Sequence, residues 1–328
     1  MNHSDIKQNE LDRAVDIVKK IMDYYRRRIV GQKGLGESLL LALMANGHIL
    51  LESVPGLAKT TAAKVITNAV NGDFSRIQCT PDLLPSDIIG GQIFNYSTSS
   101  FETKLGPVFA NFVLLDEINR SSSKTQSAML EAMQERQTTI GGFVYKMPKV
   151  FIVIATQNPI EQEGTYPLAE AQMDRFLIKE VLDYPSNEEE VEILSRLEKK
   201  VFDDTKPILT LIDVLFLQYL TEKVYVDNNI KKYISLIVYA TRHPEKFIDE
   251  EYAKYITMGA STRASIAFME CGKACALMNG RSYVTPDDIK KIAIRVLRHR
   301  IALSFAATAN DIKVEDIIME IMNKVPAP

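Results

Sequence analysis

Apolar positions at the start of the chain recur at helical spacing. Leu11, Ala14, Val15, Val18, Ile21, Met22 and Tyr25 share one face, which predicts an amphipathic helix over residues 8–28. Arg26-Arg27-Arg28 closes it, where cations suit the C-terminal end of the helix dipole. A solvated helix end accounts for that run better than a binding patch does. A second helix carries Leu39, Leu40, Ala42 and Leu43, and then the pattern changes. Five strand candidates alternate with helical segments: His48–Glu52, Arg76–Cys79, Phe112–Asp116, Val150–Thr156 and Phe176–Leu182. Two of them contain unbroken apolar runs, Phe112-Val113-Leu114-Leu115 and Phe151-Ile152-Val153-Ile154-Ala155, as strands covered on both faces by crossover helices should. The fold class is therefore α/β, with a parallel sheet over roughly residues 36–183.

Beyond Tyr184-Pro185-Ser186 the spacing is helical to the end. Glu188-Glu189-Glu190 forms an acidic first turn, and Asp227, Asn228 or Asn229 can cap a helix bearing Ile230, Tyr233, Ile234, Ile237 and Val238. Thr285-Pro286-Asp287-Asp288 resembles a capping box with Pro at the first helical position. The expected organisation is an N-terminal helical segment (1–35), an α/β core (36–185) and an all-helical second domain (186–328). Two stretches of the core are not needed to connect its strands. Residues 92–106 have a Ser/Thr-rich tip, and Thr138–Tyr145 carries Gly141-Gly142 at its turn, so both read as hairpins. Contact elements and simple decoration are both open for them.

Composition narrows the classes. With 328 residues the chain exceeds one typical domain, and its 46% hydrophobic and 25% charged content is ordinary for a folded soluble protein. A net charge of -3 gives no basic signature for nucleic acid. No apolar run approaches a membrane span and the first residues are polar, so a cytoplasmic location is expected. Cys79, Cys271 and Cys275 read as buried thiols, because no His stands near the last two to complete a zinc set.

The chemistry collects at strand ends. Gly47-His48-Ile49-Leu50-Leu51-Glu52-Ser53-Val54-Pro55-Gly56-Leu57-Ala58-Lys59-Thr60-Thr61 is an apolar strand, a Pro-Gly turn and a helix start. Such a cradle aims unpaired amides at an anion; its lysine reaches nucleotide phosphates and the following hydroxyl ligates Mg²⁺. Ser53 and Ala58 stand where the usual pattern has glycine, so an ordinary strand-turn-helix with a surface lysine is the competing reading. Phe112-Val113-Leu114-Leu115 runs into Asp116-Glu117. At the carboxyl end of a buried strand, Asp116 would hold the Mg²⁺ shell and Glu117 could orient a water for in-line attack. Asn158, in Ala155-Thr156-Gln157-Asn158-Pro159, offers a neutral donor and acceptor beside that water. The bland alternatives, an acidic turn and a turn asparagine, weaken because the three motifs fall on neighbouring strand ends.

These blocks resemble the MoxR ATPases, a branch of the AAA+ superfamily. The likeness runs from about Ile29 to Ile301 and includes Leu114–Arg120, Gly164–Phe176 and Tyr283–Asp288. The resemblance implies that Lys59 and Thr60 belong to Walker A, Asp116 and Glu117 to Walker B, and that Asn158 is sensor 1. It implies that Arg175 is an arginine finger reaching a neighbouring subunit's nucleotide and that Arg263 is the sensor 2 arginine of a lid. Ile29-Val30-Gly31-Gln32 would line the adenine pocket, beside Pro55, Gly56, Leu57, Ala58 and Thr61 of the phosphate loop. The two hairpins would be inserts that touch a substrate or partner.

The cofactors implied are ATP and Mg²⁺. The partners implied are further copies of the chain in a ring, expected to be a hexamer, and a client with a von Willebrand factor A domain. The expected activity is ATP hydrolysis driving chaperone-like remodelling, in assembly or metal-cofactor insertion. A DNA motor is the competing enzyme, disfavoured by net charge and by hairpins whose only lysines are Lys104 and Lys146. A nucleotide-gated scaffold with little hydrolysis is disfavoured by the intact Asp116, Glu117 and Asn158 set.

Overall fold

A computed structural model of the chain describes residues 6–54, 56–159, 165–198 and 206–328. The central sheet has five parallel strands: β1 (Ile49–Glu52), β2 (Phe74–Gln78), β3 (Phe112–Asp116), β4 (Ile152–Gln157) and β5 (Ile178–Val181). Their spatial order is β2-β3-β4-β1-β5. The five predicted strands are all present, each within a few residues of its expected ends. All five residues of β3 are buried, as are the first five of β4.

The period of two sorts each strand between two cores. Ile49, Leu51, Phe112, Leu114, Ile152 and Ile154 face one side, with α1 (Gln8–Arg28), α2 (Lys33–Met44) and α3 (Lys59–Ala69). Leu50, Val113, Leu115, Val153 and Ala155 face the other, covered by α4 (Ser123–Glu135). The first core runs on without a break into the C-terminal helices, so the N-terminal helix and the second domain share one apolar interior. Gly36 shows how closely these layers meet: a Cβ there would stand 2.6 Å from the Tyr25 ring.

The second domain holds α5 (Asn187–Glu198), α6 (Leu211–Lys223), α7 (Asn228–Arg242), α8 (Thr262–Met278), α9 (Pro286–Leu297) and α10 (Val314–Lys324). Asp227 caps α7 by accepting the Asn229 amide, and Asp288 closes the expected box at Thr285. The domain is not purely helical. Ile256–Met258 and Ala302–Leu303 pair as a short antiparallel ladder, too brief for a period of two to register in the sequence.

Both expected hairpins form. Gly90–Asn95 pairs with Ser100–Leu105, and Gln137–Ile140 with Phe143–Lys146 around Gly141-Gly142, both at positive φ. The Tyr145 hydroxyl donates to Thr103 Oγ1 at 3.0 Å and ties the two together. Among the described residues no helix is long and apolar enough to cross a membrane.

Candidate nucleotide site

The end of the sheet where its strands finish gathers the phosphate loop, the paired acids and Asn158. β4 lies between β1 and β3, so Asn158 emerges between the loop and the acids. Lys59 and Thr60 open α3, and Ala58 caps it in the left-handed region at φ +56°. Gly56 has φ +89°, and a Cβ there would meet nothing within 4 Å, which leaves the cradle open to a ligand. Ser53 is buried, keeps ordinary negative φ and donates its hydroxyl to the Val54 carbonyl at 3.1 Å. Serine is therefore accommodated without backbone strain. Pro55 of the loop and Gly164 of the Gly164–Phe176 stretch lie outside the described residues.

Beside the loop is a cavity of about 500 Å³, lined mainly by apolar groups. Ile29 and Val30 meet Ala58, Thr61, Val65 and Ile193 there, which suits a flat heteroaromatic ring. Gly31 is at φ +79°, and Gln32 donates its side-chain amide to the Asp183 carbonyl at 3.0 Å, which fixes this segment against the end of the core. The open cradle, the helix start with Lys59-Thr60 and the apolar slot together fit a nucleoside triphosphate with its magnesium ion.

The acids are held by neighbours that the sequence did not single out. Thr156 donates its hydroxyl to Asp116 Oδ1 at 2.9 Å, and Thr156 Oγ1 in turn accepts the Glu117 amide at 2.9 Å. Arg76 reaches the other Asp116 oxygen with its Nε at 3.2 Å and a terminal nitrogen at 2.6 Å. Gln78 donates to Glu117 Oε2 at 3.0 Å and Arg120 donates to that same oxygen at 3.0 Å. Glu117 itself sits in the left-handed region, φ +58°. The register that pairs Gln78 with Asp116 brings β2 alongside. Arg76 and Gln78 do stand two apart around the buried Ile77, a period-2 signal, yet nothing local says which strand they would face.

The two arginines lie elsewhere. Arg175 and Arg263 line a separate cavity of about 270 Å³ together with Asn46, Gly47 and His48, the residues that precede β1. The Leu177 amide donates to the His48 carbonyl at the same level of the sheet. This is the edge where strands begin; the four residues of β1 alone separate it from the loop by roughly 13 Å. Arg175 donates to Gln134 Oε1 at 2.9 Å and to the Ala171 carbonyl at 3.2 Å. Arg263 follows the Ser261 cap, its amide donating to Ser261 Oγ at 3.1 Å, and its guanidinium is 3.5 Å from Asp174 Oδ2.

His48 is fully enclosed near this edge. Its Nδ1 accepts the Val153 amide at 3.0 Å and its Nε2 faces the Met133 carbonyl at 3.1 Å, which sets the neutral Nε2–H tautomer. Burial, then the Arg136 charge, holds its pKa down at about 3. Burial likewise pushes the Cys79 thiol up to about 12, which removes it as a nucleophile. Cys271 and Cys275 are buried free thiols, and the described residues contain no group of His, Cys, Asp and Glu suited to hold a metal among themselves.

Comparison with known proteins matches these two regions separately. Residues 48–178 match the model of the ATPase family associated with various cellular activities, and residues 250–321 match an AAA lid domain. The chain is 46% identical to Chaperone MoxR1 of Mycobacterium tuberculosis, over 97% of this chain and 82% of that protein. It is 44% identical to the uncharacterized protein YeaC of Bacillus subtilis, over 95% of each. A crystal structure of a candidate ATPase from Cytophaga hutchinsonii superposes with a TM-score of 0.90 at 45% identity, covering 98% of this chain and 97% of that one.

Proposed function

The chain belongs to the MoxR family of AAA+ ATPases, and on that premise we propose that it hydrolyses ATP in a ring of identical subunits. The observation that carries this reading is the division of the site. Lys59, Thr60, Asp116, Glu117 and Asn158 collect where the strands end, whereas Arg175 and Arg263 collect where they begin. One subunit cannot bring both groups to one phosphate, but a head-to-tail neighbour can, and a heterologous contact that closes makes a ring.

In this reading the first-turn amides of α3 and Lys59 hold the β- and γ-phosphates, and Ile29, Val30 and Ala58 enclose the adenine. Gly31 and Gln32 shape that segment, and Gly56, Leu57 and Thr61 complete the loop. Thr60 and Asp116 hold magnesium, which when bound would neutralise charge on the phosphates. Glu117 releases Gln78 and Arg120, then orients and polarises the attacking water, and Asn158 holds that water without adding charge. Arg175 and Arg263 stabilise negative charge on the neighbour's nucleotide. The energy drives chaperone-like remodelling of client complexes, in assembly or metal-cofactor insertion, with a von Willebrand factor A domain protein as the client. The name of the mycobacterial relative supports the chaperone part.

Glu117→Gln tests the chemistry. Nucleotide affinity should survive and phosphate release should fall by about 10² or more, as for loss of one positioned catalytic group. Mixing this variant with Arg175→Ala should restore part of the turnover, because one supplies the arginine and the other the carboxylate. Persistent turnover in Glu117→Gln alone would overturn the assignment.

A further inference from the structure

Asp174 stands immediately before Arg175, and it joins the core to the C-terminal domain through polar contacts. Its Oδ1 accepts from Arg300 Nε at 2.8 Å, and its Oδ2 accepts the Ser261 hydroxyl at 2.8 Å and pairs with Arg263 at 3.5 Å. Three groups of the C-terminal domain therefore converge on one carboxylate of the core. Arg300 is nearly fully enclosed, with 2% of its side chain exposed. It spends its other donors on backbone carbonyls of the same turn: Leu177 at 3.1 Å, Phe176 at 2.6 Å and Asp174 itself at 3.3 Å. A further bond to its own helix end, at Val296, roots it in the C-terminal domain.

The chemistry of this joint is specific. A guanidinium presents five donors in a rigid fork, so four carbonyls and a carboxylate fix the turn 174–177 relative to the end of α9. The same carboxylate steers the first turn of α8, where Arg263 starts. Arg175 is covalently next to Asp174, and Arg263 is in contact with it. A stability role alone would be served by any well-packed apolar pair, since buried ion pairs often add little net stability.

We infer that Asp174 is a positioning residue that sets Arg175 and Arg263 as one two-pronged donor, with Arg300 transmitting the state of the C-terminal domain to it. This rests on the reading that both arginines serve the nucleotide of a neighbouring subunit. A movement of the C-terminal domain in one subunit then moves the pair of cations presented to the next subunit, without touching its own phosphate loop. Displacement of a catalytic group by about 1 Å can lower rate by roughly 100-fold, so small tilts of α8 and α9 suffice.

The test uses the full chain with Asp174→Asn, and with Asp174→Asn/Arg300→Met to avoid leaving a buried guanidinium unpaired. Binding of a fluorescent ADP analogue should stay within about twofold of the parent. Turnover should fall by about 10- to 100-fold in both variants. Amide hydrogen exchange at residues 262–265, measured without nucleotide, should rise, because the carboxylate no longer steers the start of α8. Mixed with Glu117→Gln, each Asp174 variant should regain turnover, as Arg175→Ala should in the parallel mixture. Rescue of Arg175→Ala but of neither Asp174 variant would overturn this inference and leave the trans reading standing. Rescue of none of the three would remove the trans reading and this inference with it. Unchanged exchange at 262–265 also overturns it.

Discussion

The two edges of the sheet hold opposite chemistries. Where strands end, Lys59 and Thr60 open α3 beside the phosphate loop, and the acids Asp116 and Glu117 are held by Arg76, Gln78 and Arg120. Where strands begin, Arg263 and Arg300 pair with one carboxylate, Asp174, and Arg175 lies in the same cavity near two enclosed histidines. The first edge can change its partners when a ligand arrives. The second is anchored through Arg300, whose enclosed guanidinium is bonded to backbone carbonyls, and Asp174 links it to Arg263. The contrast teaches that a site assembled between subunits needs one adaptable half and one rigid half. The rigid half works as a tool presented to a stranger, so its geometry must be set before the partner is met.

Acid should break the rigid edge first. His48 and His299 are both buried and neutral, with pKa values depressed by burial; for His48 the value is about 3, and the Arg300 charge adds to the effect at His299. The unfolded chain, with histidines near 6.5, binds protons that the folded chain refuses, so stability is complete above about 6.5 and is lost as pH falls toward 3. For His48 this should cost about 2 kcal/mol between pH 6.5 and 5, at 1.36 kcal/mol per unit, and His299 should add a loss in the same direction. Urea unfolding at pH 7 and pH 5 measures this. Loss of less than a quarter of the expected amount would mean the rings are not sealed.

The adaptable edge should answer to a single side chain. Lys59→Ala should weaken nucleotide binding by roughly 10- to 100-fold, the worth of one charge-assisted contact of about 1.5–3 kcal/mol. Arg175→Ala, by contrast, should leave affinity unchanged in dilute protein. Calorimetry on both variants checks the pair, and equal losses would erase the distinction between the edges. The smallest effect concerns the loop itself. Ala58 caps α3 at φ +56°, so Ala58→Gly should raise stability by about 1 kcal/mol through relief of the left-handed penalty. A shift in melting temperature reads it, and a decrease would mean that the methyl group packs usefully in the apolar cavity.

Much of the fold was legible because the strands are either wholly apolar or end abruptly in charge. Phe112–Asp116 is the clearest instance: four buried apolar residues followed by acids can hardly be anything except a covered strand reaching a rim. Both hairpins and the caps at Asp227 and Thr285 followed from local turn chemistry. The resemblance named Lys59, Asp116, Glu117, Asn158, Arg175 and Arg263, and the fold places the first four at one edge and the last two at the other. What stayed hidden depends on register and domain docking. Arg76 meets Asp116 across 40 positions, and Arg300 meets Asp174 across 126. No local pattern encodes such partners, because each half is an ordinary surface-type residue until the sheet closes. Thr156 is the intermediate case: its place before Asn158 put it on the correct strand, but its bridge between Asp116 and the Glu117 amide needs the neighbouring strand to be known.

Glu117 carries a second demand besides its carboxylate. With φ +58° and ψ 54° it occupies backbone space that suits glycine and asparagine and repels β-branched side chains. A saturation library at this position would therefore mix two selections, one for an acid and one for tolerance of a left-handed turn. Glycine variants would look unduly healthy as folded proteins, and valine or isoleucine variants unduly sick, for reasons unrelated to water activation. Glutamine shares the shape and the backbone habits of glutamate, so it alone separates the chemical from the conformational requirement, and any ranking of variants at this site should be normalised to it.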